Sequence, residues 1–293
     1  YPELDYLNRL VTVDKKFIGK RVFYIYPKNF LIANCVDILS TEKVKIIPNG
    51  IFSLFLYLLA MRYNALAIDA SQSGVRHQTL HKKRTERYLS HQETFQQRQV
   101  EYAKIRKETV SMYPLKKIMA LPKNLSDFIG SKNYCLIQIK DVRVNATVNP
   151  LDPTTYLPTI EYLMGRGYKV VLAGREKIPN IFSDLGVIDY AGSIYATARN
   201  DYIIVNNAKM VLSSASGFCF IPDVLGVPLL SVNNWQINGY PGKKTLQIPT
   251  LMDYKGEKVS FRNQIDHFYK IGQIGPDTIV PDDYVFYDAD GKM

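Results

Sequence analysis

The chain has 293 residues, of which 46% are apolar and 22% charged. That balance excludes a disordered chain and allows one large α/β unit or two smaller domains, each with its own core. No run reaches the ~20 apolar residues that span a bilayer; the nearest, Ile51–Met61, is short and stopped by Arg62. The chain opens with Tyr-Pro, without an initiator Met or an apolar leader, so a trimmed or partial cytoplasmic protein is expected.

The three cysteines, Cys35, Cys135 and Cys219, are odd in number and widely spaced. They form neither a CxxC nor a Cys/His cluster, so buried free thiols are expected rather than disulfides or a zinc site. The net charge of +10 is concentrated. Residues Val75 to Lys123 hold twelve Lys or Arg against four Glu, a local excess of 12 − 4 = +8. Such a field draws anions: phosphorylated ligands, anionic lipid or nucleic acid.

In chain order, Arg21–Tyr26 and Val44–Pro48 read as strands, rich in β-branched and aromatic residues. Ile51–Tyr63 reads as a helix and Leu66–Asp69 as a strand. Thr79–Thr109 contains no Gly or Pro and predicts a long helix with a narrow apolar stripe and a wide basic face. Pro114 and Pro122 bracket a connector, and a domain boundary is expected at 130/131.

Beyond it the pattern sharpens. Strands are predicted at Tyr134–Lys140, Lys169–Ala173, Val187–Tyr190, Lys209–Ser213 and Pro228–Val232. Helices are predicted at Thr154–Arg166, Thr197–Asn207 and Phe218–Leu225. Near-continuous Val/Ile/Leu strands alternating with helices imply a parallel sheet covered on both faces. Ligands of such sheets bind outside the carboxyl ends of the strands. The loops to examine are therefore Asp141–Asn149, Gly174–Lys177, Ser213–Gly217 and Asn233–Asn238.

Ser213-Ser214-Ala215-Ser216-Gly217 stands between a strand and a helix. Small residues there let the backbone approach a phosphate, although a serine N-cap alone would explain the composition. Downstream come Pro222 and Asp223, then Leu225-Gly226-Val227-Pro228 and an apolar strand.

A Ser-Gly turn, a short helix, "LGVP" and a strand resemble the C-terminal domain of GT-B glycosyltransferases. Heptosyltransferases and nucleotide-sugar epimerases are similar there. Tyr156–Gly174 together with Ser213–Trp235 resembles, more narrowly, glycosyltransferases of bacterial surface-polysaccharide loci, and the likeness runs from about Tyr134 to Pro249. It implies two Rossmann-like parallel-sheet domains, an acceptor-side one over 1–130, small or incomplete and carrying the basic helix, and a donor-side one over 131–293.

By position it implies that Gly174 admits the nucleotide and that Ser213, Ser214, Ser216 and Gly217 contact diphosphate or sugar. Asn233 and Asn234 would line the far wall. Gln138 and Lys140 stand where the family has a His and an Arg, and Leu172 replaces a further Arg. Lys140 keeps the charge but not the bidentate fork. Arg175 is placed to neutralise a departing diphosphate.

A general base would come from the N-terminal half, His77 or Asp69, with His81, His91 and Asp37 as rivals; His267 completes the histidines. His77 and His81 lack the HExxH arrangement of a zinc site. Asp288-Ala289-Asp290 has the form of a metal-holding carboxylate pair but lies far from the sheet's loops and reads as a turn. Transfer is thus expected to need no metal and no cofactor.

With no GxGxxG and no P-loop, NAD binding and ATP hydrolysis lose support. The expected partners are a nucleotide-sugar donor, a glycan or lipid-linked acceptor and an anionic membrane surface on the inner face. Nucleic acid is not expected, since neither aromatics interleaved on the basic face nor a recognised nucleic-acid-binding fold is evident. The alternatives are a nucleotide-sugar epimerase or pyruvyl-type transferase on the same scaffold, or a diverged, non-catalytic membrane-associated protein, which the replaced His and Arg positions motivate.

Overall fold

The computed structural model describes residues 22–26, 35, 44–48, 51, 55, 119–139, 152–175, 178–214, 216–234, 244–249, 251–260, 262–264, 266–267 and 282–287. By contact the chain divides into two compact units, Tyr1–Ile118 and Met119–Met293. The expected boundary at 130/131 lies further along the chain. Helix α1 (Lys123–Ile129) belongs to the second unit, where Asn207 Nδ2 also donates to the Met119 carbonyl at 2.8 Å.

In the first unit, the two predicted strands are present as β1 (Val22–Tyr26) and β2 (Val44–Pro48), and they pair in parallel. Val44 and Ile46 are buried and Lys45 is exposed, the period of two of a strand with one covered face. Ile51 and Phe55 are helical and exposed. The predicted strand Leu66–Asp69, the basic helix, and the candidate residues Asp37, Asp69, His77, His81 and His91 lie outside the described residues. Among those described, no helix is long and apolar enough to cross a membrane.

The second unit is built on a six-stranded, wholly parallel sheet. Its strands are β3 (Tyr134–Gln138), β4 (Lys169–Ala173), β5 (Ile188–Asp189), β6 (Val211–Ser213), β7 (Leu229–Asn234) and β8 (Thr245–Pro249). The order across the sheet is β5-β4-β3-β6-β7-β8. Counted within the unit this is 3-2-1-4-5-6, the Rossmann order, with its topological switch between β3 and β6. The predicted α/β class is observed, and the first strand is buried along its whole length.

Helices α2 (Leu157–Gly165), α3 (Asn180–Asp184), α4 (Ala198–Asn207) and α5 (Phe220–Leu225) connect the strands. On one face Cys135, Ile137, Val170, Leu172 and Leu212 pack against Tyr156, Ile160 and Leu163 near and on α2 and Phe182 on α3. The side chains that alternate with them meet α4: the buried Tyr134 hydroxyl donates to the Ile204 carbonyl at 2.7 Å. Burying a side chain the size of Phe182 contributes on the order of 2–3 kcal/mol.

Two local signals shape these helices. Asp152 caps the 3-10 turn Pro153–Tyr156 that leads into α2, accepting from Thr154 N at 2.9 Å. Thr197 caps α4, accepting from Asn200 N at 3.1 Å. The predicted helix at Phe218–Leu225 proves to be a 3-10 turn, Gly217–Cys219, followed by the six-residue α5.

A second, antiparallel sheet, β10-β9-β11, was not foreseen from the sequence. It comprises β9 (Leu251–Tyr254), β10 (Glu257–Lys258) and β11 (Tyr284–Tyr287). Lys255 (φ 53) and Gly256 (φ 80) make the two-residue turn of the β9–β10 hairpin, both in the left-handed region.

Candidate functional site

Register aligns one residue from each central strand along the carboxyl edge of the six-stranded sheet. Ala173, Gln138, Ser213, Ser231 and Gln247 stand side by side on β4, β3, β6, β7 and β8. Gln138, Ser213 and Ser231 are 2% exposed or less. A sheet that needed only stability would fill these positions with apolar side chains, since a buried polar group costs free energy unless it is hydrogen-bonded.

The bonds are present. Gln138 Oε1 accepts from Ser213 Oγ and from Ser216 Oγ, each at 2.8 Å. Its Nε2 donates to the Ile139 carbonyl at 2.7 Å. That contact fixes the amide's orientation, because the opposite flip would set two oxygens face to face. Ser214 N donates to the Gln138 carbonyl at 3.2 Å, and Phe218 N to Ser216 Oγ at 3.1 Å. One amide on β3 thus ties down the loop that leaves β6, across the topological switch.

The Ser214 hydroxyl differs from its neighbours: it is wholly buried and has no hydrogen-bond partner among the described residues. Gly217 marks the outer side of the same loop. It is exposed, and a Cβ built on it would meet no atom within 4 Å. There is open room above this loop.

Other expected residues lie along the same edge. Gly174 directly follows β4 with φ 107, a conformation that glycine adopts freely and other residues rarely do. Asn233 is buried at the end of β7 with φ 53, beside a register shift between Val232 and Asn234. Asn is among the few side chains that accept that backbone, and the bulge turns the chain where β7 leaves the sheet. Gly174 and Ser214 follow β4 and β6 directly and Asn233 lies near the end of β7; β4 and β7 are three strand spacings apart, or about 14 Å. A single phosphate cannot touch all of them; an extended ligand lying along the edge can. Asn234 belongs to β7, and Lys140 lies outside the described residues.

Arg175 follows Gly174 and is exposed. Its charge is felt by Asp201, in the first turn of α4. Burial pushes the Asp201 carboxyl up to about 6, opposed by the hydrogen bond from Tyr190 and by Arg175. Tyr190, just past β5, donates its hydroxyl to Asp201 Oδ1 at 2.9 Å. Burial, then the Asp201 charge, holds that phenol well above its usual range.

Sequence reading missed Asp201, Tyr190 and Ser231. The legible signal for Asp201 was an acidic residue in the first turn of a Thr-capped helix.

The remaining expectations fall elsewhere. None of the three cysteines forms a disulfide. Burial pushes the Cys135 thiol up to about 11, the state of an inert structural cysteine. Cys219, expected to be buried, is partly exposed, because the 3-10 turn brings its Sγ to the Ser216 carbonyl at 2.8 Å instead of turning it into the core. His267 lies away from the parallel sheet's edge, its Nδ1 3.1 Å from the Tyr284 hydroxyl. Asp288 and Asp290 lie outside the described residues. Among the described residues, no group of three or more His, Cys, Asp or Glu is arranged to hold a metal ion.

No family model matches the chain, and no curated protein does. Among solved structures it is similar to the Escherichia coli heptosyltransferase WaaC with ADP, at 13% identity over 92% of this chain and 95% of that one, with a TM-score of 0.46. It is similar to the E. coli ADP-heptose lps heptosyltransferase II at 12% identity, over 90% and 89% of the two chains, with a TM-score of 0.45. The iron-containing dodecameric glycosyltransferase TibC of enterotoxigenic E. coli matches at 14% identity over 40% of this chain, with a TM-score of 0.33. The match spans 31% of TibC's own length.

Proposed function

We propose that this chain transfers a sugar from a nucleotide-sugar donor to a glycan or lipid-linked acceptor, with the donor held along the carboxyl edge of the six-stranded sheet. The observation that carries the reading is the buried polar row Gln138–Ser213–Ser231 at the topological switch, beneath a loop with open space over Gly217. Ligands of open parallel sheets lie at that crevice. The quoted resemblance around Ser213–Trp235 supports the choice of ligand, and so does the chain's own glycine placement. A dinucleotide needs glycines in the turn after the first strand, and residues 139–150 contain none. Glycine stands instead after β4 and in the loop after β6.

In this reading the backbone around Ser216 and Gly217 faces the diphosphate. Arg175 and Lys140 neutralise the charge that develops on the leaving nucleoside diphosphate, so that transfer needs no metal. His77 or Asp69 would take the proton of the acceptor hydroxyl. The protein would work in the cytoplasm, its basic segment against an anionic inner membrane face.

Gly217→Trp is the direct test, because the glycine has no positive φ and open space above it. The full-length variant is expected to keep its melting temperature and to lose binding of UDP-, GDP-, ADP- and CMP-linked sugars that the unmodified chain binds. Equal donor affinity in the two proteins would place the ligand elsewhere, and binding of none of these donors by the unmodified chain would end the transferase reading.

A further inference from the structure

We infer that Gln138 is a positioning residue, holding the Ser213–Gly217 loop in its ligand-ready shape by accepting from two serine hydroxyls without itself touching the ligand. The inference rests on the donor site proposed above and assigns roles within it.

The hydrogen-bond capacities decide the matter. The amide oxygen of Gln138 has two lone pairs, and both are filled, by Ser213 Oγ and Ser216 Oγ at 2.8 Å. Its Nε2 faces the Ile139 carbonyl at 2.7 Å, and the residue is 2% exposed. Little of this side chain is left to reach a ligand. Each serine hydroxyl has a single proton. That of Ser216 goes to Gln138, while its oxygen accepts from Phe218 N at 3.1 Å. That of Ser213 is shared between Gln138 and the Ser214 carbonyl, at 2.8 and 3.0 Å.

Two of the loop's three serines are therefore committed to holding the loop. Of the three, Ser214 keeps a hydroxyl with no partner among the described residues. The sequence presents Ser213, Ser214 and Ser216 as equivalent donors to a phosphate; the geometry divides them into two braces and one free group. Gln138 makes the division, because it is the one acceptor that Ser213 and Ser216 share.

A neutral amide suits the task. Its side chain bonds two hydroxyls and a backbone carbonyl, none of which titrates. The nearest thiol in the loop, Cys219, bonds the Ser216 carbonyl instead. A buried acceptor of fixed charge state holds the loop in the same way across the physiological pH range.

The test is a double-mutant cycle on the full chain, read by calorimetry with UDP, GDP, ADP and CDP as probes and by thermal melting for fold. Gln138→Met keeps the volume and removes the acceptor. It is expected to weaken binding of the bound probe about tenfold, and Ser216→Ala about three- to tenfold. The double variant should be no weaker than the worse single within about twofold, because both remove the same brace.

Gln138→Glu gives a readout that simple packing would not move. Its protonated carboxyl reproduces both the acceptor and the donor of the amide. Binding relative to the unmodified chain should therefore be near equal at pH 5 and fall about tenfold or more by pH 8, as the buried carboxyl ionises beside the anionic ligand. Should Gln138→Met fail to fold, Ser213→Ala and Ser216→Ala each remove one bond and complete a smaller cycle.

Gln138→Met with undiminished affinity, or losses that multiply in the double variant, would overturn the inference and leave the donor site standing. An unmodified chain that binds none of the four probes would overturn both.

Discussion

The two sheets of the second unit treat their polar and aromatic side chains in opposite ways. The six-stranded parallel sheet hides polarity: Gln138, Ser213, Ser214, Ser231 and Asn233 are all buried at its carboxyl edge. The three-stranded antiparallel sheet leaves aromatics half in solvent. Tyr254 packs with His267 and Tyr284 at ring distances of 4.8 and 4.7 Å, and Tyr284 stacks on Phe286 at 6.2 Å.

Half-exposed aromatic pairs on a small sheet are ordinary stabilising contacts, each contributing about 0.5–1.5 kcal/mol. Buried polarity is different. It weakens a fold that could have used Leu or Val there, so its presence at a topological switch calls for a functional reason. The lesson is that the informative edge of this molecule is the one where stability has been given up.

The largest expected effect is on the shared support of the parallel sheet. Phe182→Ala empties a fully buried site in the core cluster and should cost about 3–5 kcal/mol, measured by denaturant unfolding. A loss below about 1 kcal/mol would mean that the site collapses freely and the parallel sheet is no better packed than its antiparallel neighbour.

Next comes the Asp201 carboxyl. Burial pushes it up to about 6 in the folded chain, above the ordinary aspartate value of 3.8. The folded state therefore binds the proton more tightly than the unfolded one. This contribution to stability is fully present below pH 4 and is lost as pH rises through about 6, to the extent of roughly 1–3 kcal/mol. Asp201→Asn keeps an acceptor for Tyr190 and removes the titration. Melting curves from pH 4 to 8 should show the variant gaining on the unmodified chain as pH rises, and parallel curves would refute the assignment.

Ser214→Ala sharpens the contrast at a smaller scale. Deleting a buried hydroxyl that has no partner among the described residues should leave stability unchanged or raise it by up to about 1 kcal/mol, while nucleotide-sugar affinity falls roughly tenfold. A destabilised variant with unaltered affinity would make Ser214 a structural residue after all.

The smallest effect is expected on the aromatic sheet. Tyr287→Phe removes the hydroxyl that donates to Asp253 Oδ1 at 2.8 Å in a partly exposed setting, and should cost at most about 1 kcal/mol. Donor affinity should not move. A tenfold change on this substitution would collapse the distinction between the two sheets.

The sequence by itself determined the class of the second unit. Runs such as Tyr134–Gln138 and Lys169–Ala173 are apolar on both faces, and only a parallel strand covered on both sides buries such a run. It also located the loop that matters, since Ser213–Gly217 combines small size with a place between strand and helix. Short connections and right-handed crossovers then left few topologies.

Other features were not legible, because they depend on which strands become neighbours. Nothing in the local sequence says that Gln138 will stand opposite Ser213, residues 75 positions apart, or that Ser231 completes the row. The roles of the three serines were beyond reach for the same reason. A hydroxyl's duty is set by the acceptor that the fold brings within 2.8 Å, and that acceptor lies on another strand. Local patterns fix which elements form; only tertiary register decides which polar groups meet, and with it which hydroxyl is left over.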